Sequence, residues 1–188
     1  MSSEEDERIT AIIALYRTRG SANYYGEKVS KTDHMVQTAL SARRAGETDQ
    51  VVLACLLHDI GHLLEEDDMG GLGVCAHGQV GAQYLRGLGM DEGVCALVAN
   101  HAEAKRYLVS TQRDYYNTLS AASKKTLEYQ GGCMSKTERA AFERLACFAG
   151  ALRVRHHDDV GKKEGVPAVG VERFSGLIRR FLAGRSGL

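Results

Sequence analysis

The 188-residue chain has the composition of an ordinary globular protein, with 44% hydrophobic and 26% charged residues, and its length predicts a single domain over residues 1–188. Its 24 basic and 24 acidic residues balance, which argues against a nucleic-acid partner bound through a broad basic surface. The longest apolar run, Val51 to Leu57, is too short to cross a membrane, and the acidic segment 1–8 is unlike a signal peptide. Five scattered cysteines without a Cys-x-x-Cys pair complete the prediction of a cytoplasmic protein with reduced thiols, whose oligomeric state stays open.

Helical periodicity runs along the whole chain. Apolar residues recur three and four positions apart, and no stretch shows the sustained alternation that is typical of strands. The predicted helices cover residues 3–18, 32–45, 49–58, 76–88, 91 to about 101, 120–130, 135–148 and 171–182. The segment 65–74 is rich in acidic residues and glycine, which predicts a flexible loop. The sequence therefore predicts an all-α fold.

The dipeptide His58-Asp59 follows the apolar run directly, and further histidines lie inside half-apolar helical segments on either side of it. Imidazole and carboxylate together suit zinc, iron, manganese or copper. Adjacent helical residues point about 100° apart, so both can bind one metal only where the helix ends or distorts. The candidate ligands form one group of His34, His58, Asp59 and Asp158, and a second group of Asp59, His77 and His101. Asp59 bridges the two groups in this interpretation, and ordinary core or surface histidines are the alternative.

These residues and their order resemble the HD-domain superfamily, a group of metal-dependent helical bundles with the pattern His…His-Asp…Asp, and the two additional histidines resemble its dinuclear members. Most members are phosphohydrolases. A narrower resemblance, to the mixed-valent diiron HD oxygenases of phosphonate catabolism, covers nearly the whole chain. The segments that carry it are Tyr24-Tyr-Gly-Glu27, His58-Asp-Ile-Gly-His62, Gly71-Leu-Gly-Val-Cys-Ala-His77, His101-Ala-Glu-Ala-Lys-Arg-Tyr-Leu108 and Ser123-Lys-Lys-Thr-Leu-Glu-Tyr-Gln-Gly-Gly132. Those enzymes cleave the carbon–phosphorus bond of 1-hydroxy-2-aminoethylphosphonates with O2.

The resemblance implies an HD-type bundle around two iron ions, with O2 as co-substrate and a small-molecule phosphonate as substrate. It implies that His62 and Lys105 act in catalysis. It also implies a phosphonate-binding set of His62, Lys105, Ser123, Thr126 and Arg155. Charged donors and hydroxyls suit such an anion, and the one basic cluster of the chain, Arg153 to Lys163, suits a small anion better than a polymer.

The other end of an aminophosphonate carries a positive charge, and Tyr24, Tyr25 and Glu27 are the candidates for binding it. Glu27 would pair with a primary ammonium, whereas two tyrosines beside an acid would equally suit a trimethylammonium group through cation–π attraction. The motif favours the primary amine, which would yield glycine and phosphate. The trimethyl compound, which would yield glycine betaine, stays open, as does a simple packing role for the tyrosines.

Two other functions are compatible with the same ligands. One is a dinuclear phosphohydrolase acting on a nucleotide or phosphomonoester, and the other is a non-catalytic helical module. One position also departs from the family pattern, since His156 and His157 precede Asp158 where an aromatic residue is expected. These two histidines could support a ligand, replace one or lie in solvent, and the sequence assigns them no role.

Overall fold

Ten α-helices and two short 3₁₀ turns form the regular structure of residues 3–25 and 27–182, which are the residues described by the computed structural model. The helices are α1 Ser3–Arg19, α2 Lys31–Arg44, α3 Asp49–Leu57, α4 His77–Gly87, α5 Glu92–Thr111, α6 Tyr115–Thr118, α7 Ala121–Tyr129, α8 Lys136–Glu143, α9 Phe148–Val160 and α10 Ser175–Leu182. The 3₁₀ turns cover Ile60–Leu63 and Val171–Phe174. Within these ranges the only β-type pairing is an isolated bridge between Asn23 and Ser30, so the all-α prediction is confirmed. None of the described helices has the length and apolarity needed to cross a membrane.

Side-chain caps fix where the helices of the central bundle begin. The side chains of Ser30, Thr48, Asp91 and Ser120 each accept a hydrogen bond from the backbone N–H three residues later, at the starts of α2, α3, α5 and α7. Such a cap satisfies a backbone donor that the helix itself cannot pair, and each is worth about 1 kcal/mol. Ser135 forms the predicted capping box at the start of α8.

Helix α3 is the centre of the hydrophobic core. Every side chain from Val51 to Leu57 is buried, because the helix is apolar on all sides and packs against α2, α5 and α9. Burying one leucine side chain stabilises the fold by about 1.5–3 kcal/mol, so this segment is firmly held. The helix ends at Leu57, and His58 and Asp59 follow where the backbone changes to a 3₁₀ turn. The sequence predicted that His58 and Asp59 could bind one metal only where the helix ends or distorts, and the helix does end there.

The C-terminal third differs from the prediction. The helix predicted over residues 135–148 is wrong, because α8 ends at Glu143 and a separate helix, α9, begins at Phe148. Helix α9 runs to Val160 through the segment that was interpreted only as a basic cluster. Its buried face carries Arg155, His157 and Asp158 beside only two apolar residues, so apolar periodicity does not reveal it. The last predicted helix is confirmed for its second part, since residues 171–174 form a 3₁₀ turn.

Candidate metal centre

Four buried histidines and one aspartate converge where α2, α3, α4 and α5 meet. The Nε2 atoms of His34 and His58 lie 3.1 Å apart, and those of His77 and His101 lie 2.9 Å apart. Asp59 lies between the two pairs. Its Oδ2 is 3.6 Å from His34 and 3.4 Å from His58, while its Oδ1 is 3.2 Å from His77 and 3.4 Å from His101. Each oxygen of one carboxylate therefore faces one pair of imidazoles.

The backbone sets the protonation of these four rings. In each, Nδ1 lies within hydrogen-bond distance of a carbonyl oxygen, at 3.1 Å for His34, 2.9 Å for His58, 2.8 Å for His77 and 2.7 Å for His101. A carbonyl oxygen only accepts, so Nδ1 carries the proton and Nε2 carries a lone pair. Two lone pairs that face each other at about 3 Å repel unless a cation lies between them. This is the orientation in which histidine binds a metal.

Two carboxylates complete the arrangement. Asp158 on α9 places its Oδ1 3.3 Å from Nε2 of His34 and 3.8 Å from that of His58. The buried atoms Oδ2 of Asp59 and Oδ1 of Asp158 find no hydrogen-bond partner within the described part of the chain. Burial raises the pKa of Asp59, but His58, His101 and His77 hold it well below its usual value when their Nε2 atoms carry protons, and a metal cation would take the place of those protons beside the carboxylate.

The donor set fits two metal ions. Ligand atoms of His34, His58 and Asp59 lie within 4.8 Å of one another, as do those of Asp59, His77 and His101, and a third overlapping set joins His58, His101 and Asp158. Nitrogen and carboxylate ligands with open positions suit iron, manganese or zinc in a catalytic site. All six predicted ligands thus lie in one buried cluster, which we call the His-Asp cluster.

A cavity opens beside the His-Asp cluster. The empty space between its lining atoms is about 450 Å³, which includes open solvent at its mouth. All seven residues predicted to bind substrate line it, namely Tyr24, Glu27, His62, Lys105, Ser123, Thr126 and Arg155. Helix α5 continues well beyond His101, so Lys105 lies one turn further along the same helix, on its buried side. Its Nζ donates a hydrogen bond to Oγ1 of Thr126 at 2.9 Å.

His62 has the opposite protonation from the four converging histidines. Its Nδ1 accepts a hydrogen bond from the backbone N–H of Val74 at 3.0 Å, so Nε2 carries the proton and can donate. Burial, and then the neighbouring His77, lower the pKa of His62 well below its usual value, which keeps the ring neutral. The loop that supplies Val74 is organised by Asp67, whose carboxylate accepts hydrogen bonds from the backbone N–H groups of Met69, Gly71 and Gly73. His62 is therefore a fixed hydrogen-bond donor beside the metal cluster.

Arg155 is buried, and among the described residues its side chain donates hydrogen bonds to carboxylates and a phenol. It donates to Oδ2 of Asp158 at 2.6 Å, to both carboxylate oxygens of Asp159, and to the hydroxyl of Tyr115 at 2.9 Å. Tyr115 in turn donates to Asp159 at 2.5 Å. This network fixes the side chain of Asp158 from behind.

The tyrosine rings near the predicted amine-binding end already have partners. The Tyr24 ring stacks on His34, with ring centres 4.1 Å apart, and the Tyr25 ring meets His62 edge-on at 4.9 Å. Each ring also has a lysine ammonium nearby, Lys162 at 5.4 Å from the centre of Tyr24 and Lys31 at 4.7 Å from that of Tyr25. An open aromatic cage is therefore not formed by these two rings.

Glu27 lies at the same end of the cavity. Its Oε1 is buried and lacks a hydrogen-bond partner among the residues that the structure describes, and Nζ of Lys162 lies 3.8 Å away. Gly26, the glycine of the Tyr-Tyr-Gly-Glu motif, lies outside the described residues. This carboxylate oxygen, which has an ammonium nearby but no hydrogen bond, can accept one from a small molecule in the cavity.

Sequence reasoning did not single out Lys162 or Gln130, both of which line the cavity. For Lys162 a signal was present, since it belongs to the basic cluster that suited a small anion. The two unassigned histidines lie apart from the ligands. His157 is buried against the Ser41 hydroxyl, 3.0 Å from its Nδ1, and Glu47, 3.5 Å from its Nε2, while His156 is exposed.

Comparisons with known proteins identify the family of the chain. The HD domain family model matches residues 32–139. Hydroxymethylphosphonate dioxygenase of Gimesia maris is 34% identical over 178 residues, which cover 93% of this chain and 88% of that protein. The glycine-betaine-forming [1-hydroxy-2-(trimethylamino)ethyl]phosphonate dioxygenase of Leisingera caerulea is 32% identical over 171 residues, 89% of this chain and 87% of that protein. An uncharacterised protein of Acanthamoeba polyphaga mimivirus is 38% identical over 160 residues, 83% of this chain and 73% of that protein. The chain therefore belongs to the HD-domain family, in the group of that family that includes phosphonate oxygenases.

Proposed function

We propose that this chain, acting as one HD-type domain in the cytoplasm, is a diiron oxygenase that uses O2 to cleave the carbon–phosphorus bond of a 1-hydroxyphosphonate. The observation that carries the proposal is that Asp59 directs one carboxylate oxygen at the Nε2 atoms of each histidine pair. This arrangement lies directly beside a cavity with buried cationic donors. A shared carboxylate suits two metal ions, and cationic donors suit a phosphonate. The two dioxygenase relatives act on 1-hydroxyphosphonates according to their names, which supports the same class here.

In this proposal one iron is held by His34, His58, Asp59 and Asp158, and the other by Asp59, His77 and His101. When bound, iron supplies the redox chemistry with O2 that amino-acid side chains lack. Lys105 and the hydroxyls of Ser123 and Thr126 bind the phosphonate oxygens and orient the substrate. Charged donors in a buried site hold such an anion far more strongly than they would in water.

His62 acts as a neutral donor, because its Nδ1 is occupied by the Val74 N–H and its Nε2–H remains available. A hydrogen bond from this N–H would stabilise negative charge that develops on the substrate without changing the net charge of the site. Lys105, whose pKa is lowered to about 7 chiefly by burial, can also give or accept a proton near neutral pH. These two residues are the proposed catalytic side chains.

Glu27 supports a primary amine as the second recognition element of the substrate. A buried carboxylate oxygen without a hydrogen-bond partner is costly, and an ammonium group supplies both a donor and a charge. A trimethylammonium group has no N–H to donate, and the rings of Tyr24 and Tyr25 already contact lysine ammoniums. We therefore propose 1-hydroxy-2-aminoethylphosphonate as substrate, which with one O2 yields glycine and phosphate.

The test is phosphate release by the iron-loaded protein from three compounds, with O2 and without it. The compounds are 1-hydroxy-2-aminoethylphosphonate, its N-trimethyl analogue and hydroxymethylphosphonate. We expect release only with O2 and fastest from the primary amine. Faster release from either other compound would contradict the role of Glu27, and replacing Glu27 by Gln should slow only the primary amine. Anaerobic release of phosphate from nucleotides or phosphomonoesters, with none from phosphonates, would instead make the chain a hydrolase.

A further inference from the structure

Lys162 lies where three parts of the cavity meet. Its Nζ donates to Oγ of Ser123 on α7 at 3.1 Å, and it lies 3.8 Å from Oε1 of Glu27 and 4.0 Å from Oδ1 of Asp158. The side chain is only 12% exposed. An ammonium has three N–H donors, and the hydroxyl is its one close partner among these contacts. Lys162 therefore keeps both charge and donor capacity for a ligand.

Arg155 differs from Lys162 in that it donates hydrogen bonds to its carboxylates, whereas Glu27 and Asp158 lie 3.8 and 4.0 Å from Lys162, beyond hydrogen-bond distance. Its guanidinium contacts the carboxylates of Asp158 and Asp159, so that two negative charges from the protein face one positive charge. The fork geometry of such contacts also locks the side chain in place. Arg155 lines the cavity, but its guanidinium is already engaged in hydrogen bonds to two carboxylates of the protein.

Two lysine–hydroxyl pairs face the cavity from different elements. Lys105 of α5 donates to Oγ1 of Thr126, and Lys162, just beyond the end of α9, donates to Oγ of Ser123. The two hydroxyls lie three residues apart on α7, which places them on one face of that helix. A tetrahedral anion with three oxygens can accept from both ammonium groups and from the Ser123 hydroxyl at once, while the Thr126 hydroxyl donates to the Ser123 carbonyl oxygen at 3.1 Å.

Resting on the proposed phosphonate activity, we propose that Lys162 and Lys105 form the anion-binding pair of this cavity, with Lys162 bound directly to a phosphonate oxygen. Arg155 is then a positioning residue that fixes Asp158. The electrostatics of Lys105 support the pair. Burial, followed by the nearby charges of Arg155 and Lys162, lowers the pKa of Lys105 to about 7, although Asp158 acts in the opposite direction. Cations that crowd one site in this way favour a bound anion.

The experiment measures binding of methylphosphonate to the iron-loaded protein by calorimetry, with iron content determined on the same samples. Lys162→Met removes the charge and keeps the stem, Lys162→Arg keeps the charge, and Lys163→Met changes the exposed neighbour. Loss of one charge-assisted hydrogen bond should weaken binding in Lys162→Met by about tenfold or more. The other two variants should stay within about threefold of the wild type, since neither loses a charge inside the cavity. In turnover, Lys162→Met should raise KM and leave kcat close to that of the wild type.

Unchanged affinity in Lys162→Met would overturn the proposal. Loss of iron from that variant would overturn it too, because the lysine would then act by holding Asp158. Binding and turnover together distinguish a failure of the anion site from a failure of the proposed function. If the wild type binds methylphosphonate through Lys162 but oxidises none of the three phosphonates, the function fails and the anion site stands. If it oxidises one of them while Lys162→Met keeps affinity and KM, the anion site fails and the function stands.

Discussion

Replacing Asp59 by Asn tests whether one carboxylate serves two metal ions. Its two oxygens lie 3.2–3.6 Å from four histidine nitrogens, so the substitution removes a charged ligand from both groups while keeping the shape of the side chain. Even changes to residues that only contact a ligand weaken metal binding by about 10–100-fold, so we expect a loss of at least about hundredfold at each position. His34→Gln and His77→Gln should each release one metal ion, from the first and the second group respectively.

The loss of metal affinity should also lower the thermal stability of the protein. A metal present at about 100 times its dissociation constant stabilises the folded state by about 2.7 kcal/mol, which is roughly 5–10 °C in Tm for a chain of this length. A hundredfold weaker site at the same concentration gives about 0.4 kcal/mol, or roughly 1 °C. Metal content by mass spectrometry and Tm with and without added iron measure both consequences. Asp114→Asn is the control, since it removes an exposed carboxylate that makes no side-chain cap. If Asp59→Asn released only one metal ion, the shared-ligand interpretation would be refuted.

Two further substitutions test the cavity and the backbone around the cluster. Because the pKa of Lys105 lies at about 7, the side chain is charged below that pH and neutral above it, so sulfate affinity should fall as pH rises from about 6 to 8. Calorimetry with sulfate measures this, and Lys105→Arg, which stays charged, should remove most of the slope; an equal slope would show that another group titrates. Gly61→Ala should release the metal held by His77, because an added Cβ would overlap the His77 carbonyl group. Gly87→Ala in α4, where a Cβ meets nothing, should keep the metal and stability, and equal metal loss in both variants would contradict the argument.

Much of the fold follows from local rules that the sequence displays. Helices α2, α3, α5, α7 and α8 each begin at a Ser, Thr or Asp that caps them, and the buried apolar residues of α2, α3, α5 and α8 contribute to one core. Helix α9 could not be predicted in this way. Its inward side carries charged and polar groups that become stable only in contact with α2, Glu47 and the metal ligands, and such partners are distant in sequence.

The candidate site, too, could be predicted from the sequence only in part. His-Asp at the end of an apolar helix is visible in the sequence, and the positions of the other ligands followed from it and from the family resemblance. The pairing of lysines with hydroxyls was not visible, because Lys105 and Thr126 lie 21 residues apart and Ser123 and Lys162 lie 39 apart. Only packing of α5, α7 and the end of α9 brings them together.

Sequence reasoning named Arg155, and not Lys162, as a residue that binds the phosphonate, and the charges around the cavity explain the difference. An arginine three residues before a ligand aspartate is the expected partner of an anionic substrate, because its fork of donors matches a phosphonate. In the folded chain the guanidinium of Arg155 instead pairs with Asp158 and Asp159, which lie three and four residues later on the same helix. The contact is therefore local and forms with the helix itself, whereas the contacts of Lys162 with Ser123 and Glu27 form only in the complete fold. Lys162 has carboxylates near it but donates its hydrogen bond to a hydroxyl, so it keeps N–H donors for the substrate, and the phosphonate affinity of Lys162→Met measures that difference directly.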